Sequence, residues 1–126
     1  EHTSRGLGDV YKRQIQSRLR TFNQDRDWGQ YHSPRNLAMA LSVEASELLE
    51  LYLWSADNGP QPPVESRTKK VADEAADVLI CLLNFCDKAG IDLIRATQNK
   101  IAINEQKYPV EKVKGRLEKH SEYPNG

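Results

Sequence analysis

Residues 37–52, LAMALSVEASELLELY, decide the fold. At about 100° per residue, Leu37, Leu41, Glu44, Leu48, Leu51 and Tyr52 fall in one stripe of a helical wheel, so the segment reads as an amphipathic helix with a glutamate facing inward. Glu47 lies on the edge of that stripe. A second acid-x-x-acid step occurs in residues 71–80, VADEAADVLI, where Glu74 and Asp77 flank an apolar stripe of Val71, Ala75, Val78, Leu82 and Phe85. Residues three apart share a helix face about one turn apart. An ionised carboxylate in an apolar setting costs on the order of several kcal/mol unless it is paired or bound to metal. Four acids therefore converge where two such helices pack, and a cation is expected between them.

Hard oxygen donors suit Mg²⁺ or Mn²⁺, and not Zn²⁺, because no His or Cys shares the spacing. A carboxylate-held Mg²⁺ that keeps several waters usually also holds a substrate phosphate. Two other readings compete. The acids could be solvated faces in a chain of which 29% is charged. A di-iron or di-manganese carboxylate bundle would instead need a Glu-x-x-His step, which this chain lacks.

The chain has 126 residues, enough for one hydrophobic core. With 38% hydrophobic residues and a mean hydropathy of −0.72, it reads as a helical protein of modest burial that oligomerisation would help. A net charge of +0 gives no general attraction to nucleic acid or membrane. No apolar run is long enough to span a bilayer and no signal peptide is evident, so the expected location is cytoplasmic. Cys81 and Cys86, five residues apart in one predicted helix, match neither a redox nor a zinc spacing and read as small buried hydrophobes with reduced thiols.

Ser4 to Gln14, SRGLGDVYKRQ, resembles the in-frame translation of a sequencing adapter, so residues 1–14 are expected to be a non-native leader. From Ile15 the pattern is helical. Ile15, Leu19 and Phe22 predict a short helix to about Asp25, followed by a loop, RDWGQYH. Ser33 reads as an N-cap with Pro34 at the first helical position, opening a helix to about Trp54. The stretch SADNGPQPPVES reads as a linker. Ser66 would cap a third helix ending at Ala89 before Gly90, and Asp92 a fourth that runs to about Lys107 and is ended by Pro109. The domain is thus expected over residues 15–110, with a C-terminal tail over 111–126.

A phosphate-bearing ligand needs its base gripped and its charge neutralised. Trp28 and His32 precede the acid-bearing helix and Trp54 closes it, so flat faces at both ends could stack a nucleobase; ordinary hydrophobic capping is the alternative. Lys100, Asn104 and Lys107 share one face of the fourth helix, either as phosphate contacts or as a solvated lysine face.

Three ordered segments, residues 26–54 (RDWGQYHSPRNLAMALSVEASELLELYLW), 73–83 (DEAADVLICLL) and 99–109 (NKIAINEQKYP), resemble the all-α nucleoside triphosphate pyrophosphohydrolases of the MazG superfamily, most closely its dCTP pyrophosphatase branch. The similarity covers about Leu19 to Pro109. It implies an all-α, four-helix-bundle fold that assembles into homodimers or homotetramers. It also implies a Mg²⁺-dependent enzyme that cleaves dCTP, or a modified dCTP, to the monophosphate and pyrophosphate. By position, Glu44, Glu47, Glu74 and Asp77 match the family's metal-binding acids. Trp28, His32 and Trp54 match residues that enclose the base, and Lys100, Asn104, Lys107 and Tyr108 match phosphate and sugar contacts. Cys81 stands where animal enzymes of the branch have a tyrosine, and Lys107 where an arginine is usual. Related activity on dUTP or another non-standard nucleotide, and a non-catalytic helical interaction module, are the alternatives.

Overall fold

The computed structural model describes residues 2–53 and 65–115, with side chains from residue 6 to 53 and from 67 to 115. Trp54 and the linker at 55–64 lie outside the described residues, as does the tail from 116 onward. The all-α expectation holds: among the described residues there are helices and turns and no strand. The elements are α1 (His2–Asp25), a 3₁₀ turn (Trp28–Tyr31), α2 (Pro34–Leu53), α3 (Glu65–Ala89), α4 (Leu93–Lys107) and a single-turn α5 (Val110–Val113). The chain divides into two units, Glu1–Ile91 and Asp92–Gly126, the first holding α1 to α3 and the second α4 and α5. No helix among the described residues is long and apolar enough to cross a membrane.

Local signals act where the sequence puts them. The Ser33 hydroxyl accepts from the Asn36 N–H at 3.1 Å, capping α2. The Asp92 carboxylate caps α4 through the Arg95 N–H at 3.2 Å. Gly90, at φ +70°, ends α3 while the Ile91 N–H returns to the Cys86 carbonyl at 2.9 Å, a left-handed stop that spares the helix an orphan acceptor. Three expectations change. α1 is not short: it begins at His2 and runs through the suspected leader, where no proline interrupts it, although Leu7, Val10 and Tyr11 stay exposed. The segment before Ser33 is not simply loop but contains the 3₁₀ turn. Ser66 lies inside the first turn of α3, so it is not that helix's cap.

In the first unit α3 packs on α2 and, on another of its faces, on α1. At the α2 seam the Arg67 guanidinium donates to the Leu51 carbonyl at 3.0 Å and sits over the Tyr52 ring, 5.1 Å from its centroid, so a cation serves the carbonyl-rich end of α2. Toward α1, Arg20 holds Asp87 through its Nε at 3.1 Å and its Nη2 at 2.5 Å, and Asn23 bonds Asn84. Among the described residues only Leu37, Leu83 and Cys86 are buried. The α3 stripe therefore sits differently from expectation: Leu83 and Cys86 carry the burial and Ala75 is exposed, because α3 serves two neighbours and not one. On α2, Met39, Val43, Leu49 and Leu53 are all more than half exposed, on the side of the wheel away from Leu37, Leu41 and Leu48. This helix carries apolar residues on both faces, the outer ones interleaved with Arg35, Ser42, Ser46 and Glu50.

Replacing Ser33 with alanine should lower the unfolding free energy by about 1 kcal/mol, and with glycine by only a few tenths. Urea melts of the two variants provide the comparison, and equal losses would count against the cap.

Candidate functional site

α2 and α3 bring their acids together at the seam. One carboxylate oxygen from each of Glu44, Glu74 and Asp77 lies within 4.8 Å of the others, and all three residues are half-buried. Glu47 is exposed at the margin, yet near enough to bond and repel its neighbours. Glu44 Oε2 and Glu74 Oε2 are buried without a hydrogen-bond partner. Burial, then hydrogen bonding with and charge from Glu47, then the charges of Asp77 and Glu74 hold the Glu44 carboxyl above the ordinary glutamate value. Glu74 is raised for the same kinds of reason, burial first and then the charges of Glu47 and Asp77. Cys81, one turn beyond Asp77, is a free thiol pushed up by burial and by the nearby Glu44 and Asp77 charges. Cys86 is free and buried, as a small hydrophobe would be.

The donor set tests well against a hard divalent cation. Three carboxylates present oxygen only, and two of those oxygens are desolvated with nothing to accept from. A buried acceptor in that state costs free energy until a cation or proton meets it. Mg²⁺ or Mn²⁺ fits these three acids, and Glu47 stands outside the group.

Beside the acids lies a cavity of about 550 Å³, inside the range of small-molecule sites. Glu44, Asp77 and Cys81 form part of its lining, and so do Trp28 and His32, so the structure brings both of these to the acids. The other wall is α1, through Ile15, Arg18, Leu19, Phe22 and Asn23. Two residues after α1 ends, Asp27 takes the left-handed region at φ +53°, which an aspartate tolerates, and the chain turns there so that Trp28 meets Phe22 edge-on at 5.5 Å. Arg26 covers the Phe22 ring at 3.6 Å and donates to the Phe22 carbonyl at 3.1 Å. Asn36 Nδ2 bonds the Tyr31 carbonyl at 2.9 Å, tying the turn to α2 and setting where His32 begins.

The spacing of Ile15, Leu19 and Phe22 predicts only a short helix, and Arg18, Asn23 and Asn84 carry no site expectation. Ile15 and Phe22 are exposed and line the cavity. The available signal was a polar residue, Asn84, within the apolar run of α3. In the second unit Lys100, Asn104 and Lys107 are exposed along α4, and the Tyr108 N–H caps that helix on the Asn104 carbonyl.

Residues 39–122 match the MazG-like family. The chain belongs to this family. As a MazG-like protein it is 39% identical to rat dCTP pyrophosphatase 1 and 38% to the human protein of that name, over 107 residues and 83% of the chain. It spans 63% of the length of those relatives. A pyrophosphatase crystal structure from Archaeoglobus fulgidus DSM 4304 superposes with a TM-score of 0.63 at 38% identity, covering 86% of this chain and 94% of the other. The MazG-like match contains all four acids and the α4 residues, whereas α1, Trp28 and His32 precede it.

With the carboxyl values of Glu44 and Glu74 raised on folding, the folded state holds protons that the unfolded chain has lost. Their stabilising effect is complete below the ordinary value of 4.5 and disappears as pH rises through the raised values. In EDTA, the melting temperature should fall from mildly acid to neutral pH, and Glu44→Gln should flatten that slope. A wild-type profile that rises over this window would contradict the crowding of these acids.

Proposed function

We propose that this chain is a Mg²⁺-dependent nucleoside triphosphate pyrophosphohydrolase that converts dCTP, or a modified dCTP, to dCMP and pyrophosphate and so cleans the nucleotide pool. The observation that carries this reading is the pair of buried, unpartnered carboxylate oxygens on Glu44 and Glu74 beside Asp77. Acids in that state suit a cation-dependent reaction and are poorly explained by a purely structural role. The names of the relatives support the same chemistry.

Glu44, Glu47, Glu74 and Asp77 would hold the metal, with Mn²⁺ as a possible substitute for Mg²⁺. When bound, Mg²⁺ supplies positive charge to the triphosphate oxygens and acidifies the attacking water. Either Glu44 or Glu47 would take the proton of that water as general base. In-line attack at the α-phosphorus would expel pyrophosphate, and Lys100 and Lys107 are assigned, on resemblance alone, to answer the developing charge as point cations. Asn104 and Tyr108 complete the phosphate and sugar contacts in this reading. Trp28 offers an aromatic face and His32 a ring to the base inside the cavity, with Trp54 assigned the same role on resemblance alone.

A homodimer or homotetramer belongs to the same proposal. Besides the face that meets α3, α2 leaves Met39, Val43, Leu49 and Leu53 more than half exposed among Ser42, Ser46 and Glu50, and exposed apolar residues gathered on one side of a helix are normally covered. A second copy of the chain is the proposed cover. A cytoplasmic location is also part of this reading.

Glu44→Gln and Glu74→Gln should each abolish Mg²⁺-dependent pyrophosphate release while the protein stays folded, because each removes a crowded negative charge. Near-normal hydrolysis by either purified variant would sink the metal assignment. Trp28→Ala should raise KM for pyrimidine triphosphates by roughly ten- to a hundredfold, the worth of one base-stacking contact. An unchanged KM removes the stacking role. Product analysis over a panel of deoxynucleoside triphosphates separates dCTP from dUTP activity, and a binding-only module would release no pyrophosphate from any of them.

A further inference from the structure

Asn23 on α1 and Asn84 on α3 meet across the cavity wall, and both line the same 550 Å³ volume as Trp28, His32, Glu44 and Asp77. Asn23 Nδ2 donates to Asn84 Oδ1 at 3.2 Å, and the pair is half-buried. That bond engages one amide group of each side chain. What remains is the Asn23 carbonyl as an acceptor and the Asn84 amino group as a donor. Among the described residues neither side chain makes another hydrogen bond, and neither remaining atom is among the buried, unpartnered ones. The lining also holds the apolar Ile15, Leu19, Phe22 and Ile80, with Arg18 as a charged member on α1. An acceptor and a donor from one bonded pair on a largely apolar wall form a recognition edge, because a ligand that mismatches it leaves desolvated polar groups without partners.

The order of the two groups selects the base. Cytosine presents an amino donor next to the N3 acceptor, whereas uracil presents the O4 acceptor next to an N3–H donor. We propose that the Asn23–Asn84 pair reads the base edge of the substrate, Asn23 Oδ1 accepting from the cytosine amino group and Asn84 Nδ2 donating to N3. The assignment rests on the pyrophosphohydrolase reading above and adds the residues that sort amino-bearing from oxo-bearing pyrimidines. Turning both amides over together would keep their mutual bond and reverse the offered order. The preference for cytosine is therefore moderate, roughly ten- to a hundredfold, as for one good two-point base contact.

The test compares the wild type with N23L/N84L and with N84A, using dCTP and dUTP with Mg²⁺ and measuring kcat/KM for pyrophosphate release. Leucine approximates asparagine in size, and replacing both partners of a hydrogen bond with apolar groups of similar shape is nearly neutral. The double variant should therefore melt close to the wild type. Its kcat/KM for dCTP should fall roughly ten- to a hundredfold, and the dCTP-to-dUTP ratio should collapse toward one. A purely structural pair would leave that ratio alone. A ratio within about twofold of wild type in both variants overturns the proposal, as does a wild-type preference for dUTP. Should the double variant melt early, N84A and N23A carry the same ratio measurement. Wild-type protein that releases no pyrophosphate from either nucleotide overturns the parent reading and this one with it. Turnover with an unmoved ratio overturns only the role of the pair.

Discussion

Like charges confined at the seam between α2 and α3 govern this molecule. Glu44, Glu74 and Asp77 converge within 4.8 Å, and two of their oxygens are desolvated without a donor. Packing must hold the helices together against that repulsion. Leu37 on α2 and Leu83 and Cys86 on α3 are the buried side chains among the described residues, and Arg67 ties the start of α3 to the Leu51 carbonyl near the end of α2. Protons and divalent cations compete for the same oxygens, so occupancy, pH and folding are linked quantities here. Whatever neutralises the acids stabilises the packed seam by mass action.

The cavity grows out of that constraint. Its charged end is the acid seam, and its apolar end is α1 with the turn that follows. Asp27 in a left-handed conformation, Phe22 between Arg26 and Trp28, and Asn36 on the Tyr31 carbonyl together fix Trp28 and His32 relative to the acids. A ligand with a flat, weakly polar part and a highly charged part fits such a volume better than one that is uniformly polar. The α1 wall precedes the stretch matched by the MazG-like family, so the end of the cavity that would meet a base is contributed by residues outside the matched segment, together with Asn84 within it.

Burial is sparse for a chain that commits so many apolar residues to helices. The outward face of α2 carries Met39, Val43, Leu49 and Leu53, and α4 exposes Ile101 and Ile103. Apolar area left in water contributes nothing to folding, whereas covering it contributes about 25 cal/mol per Å². A partner surface therefore has more to offer this protein than a further internal contact.

The sequence by itself determined the helices, their stops and the facing of the acids. The Ser33, Asp92 and Gly90 signals act within a turn of where they stand, and the inward position of Glu44 follows from a period of 3.6 residues within one segment. It also carried the resemblance that the family match bears out. Only the tertiary structure decided how closely the acids approach, that Glu47 stays at the margin, and that α1 forms a wall of the cavity. Arg20 meets Asp87 across 67 residues and Asn23 meets Asn84 across 61. Such pairings depend on which helix faces remain free after α2 has taken its share of α3, and no local period encodes that choice.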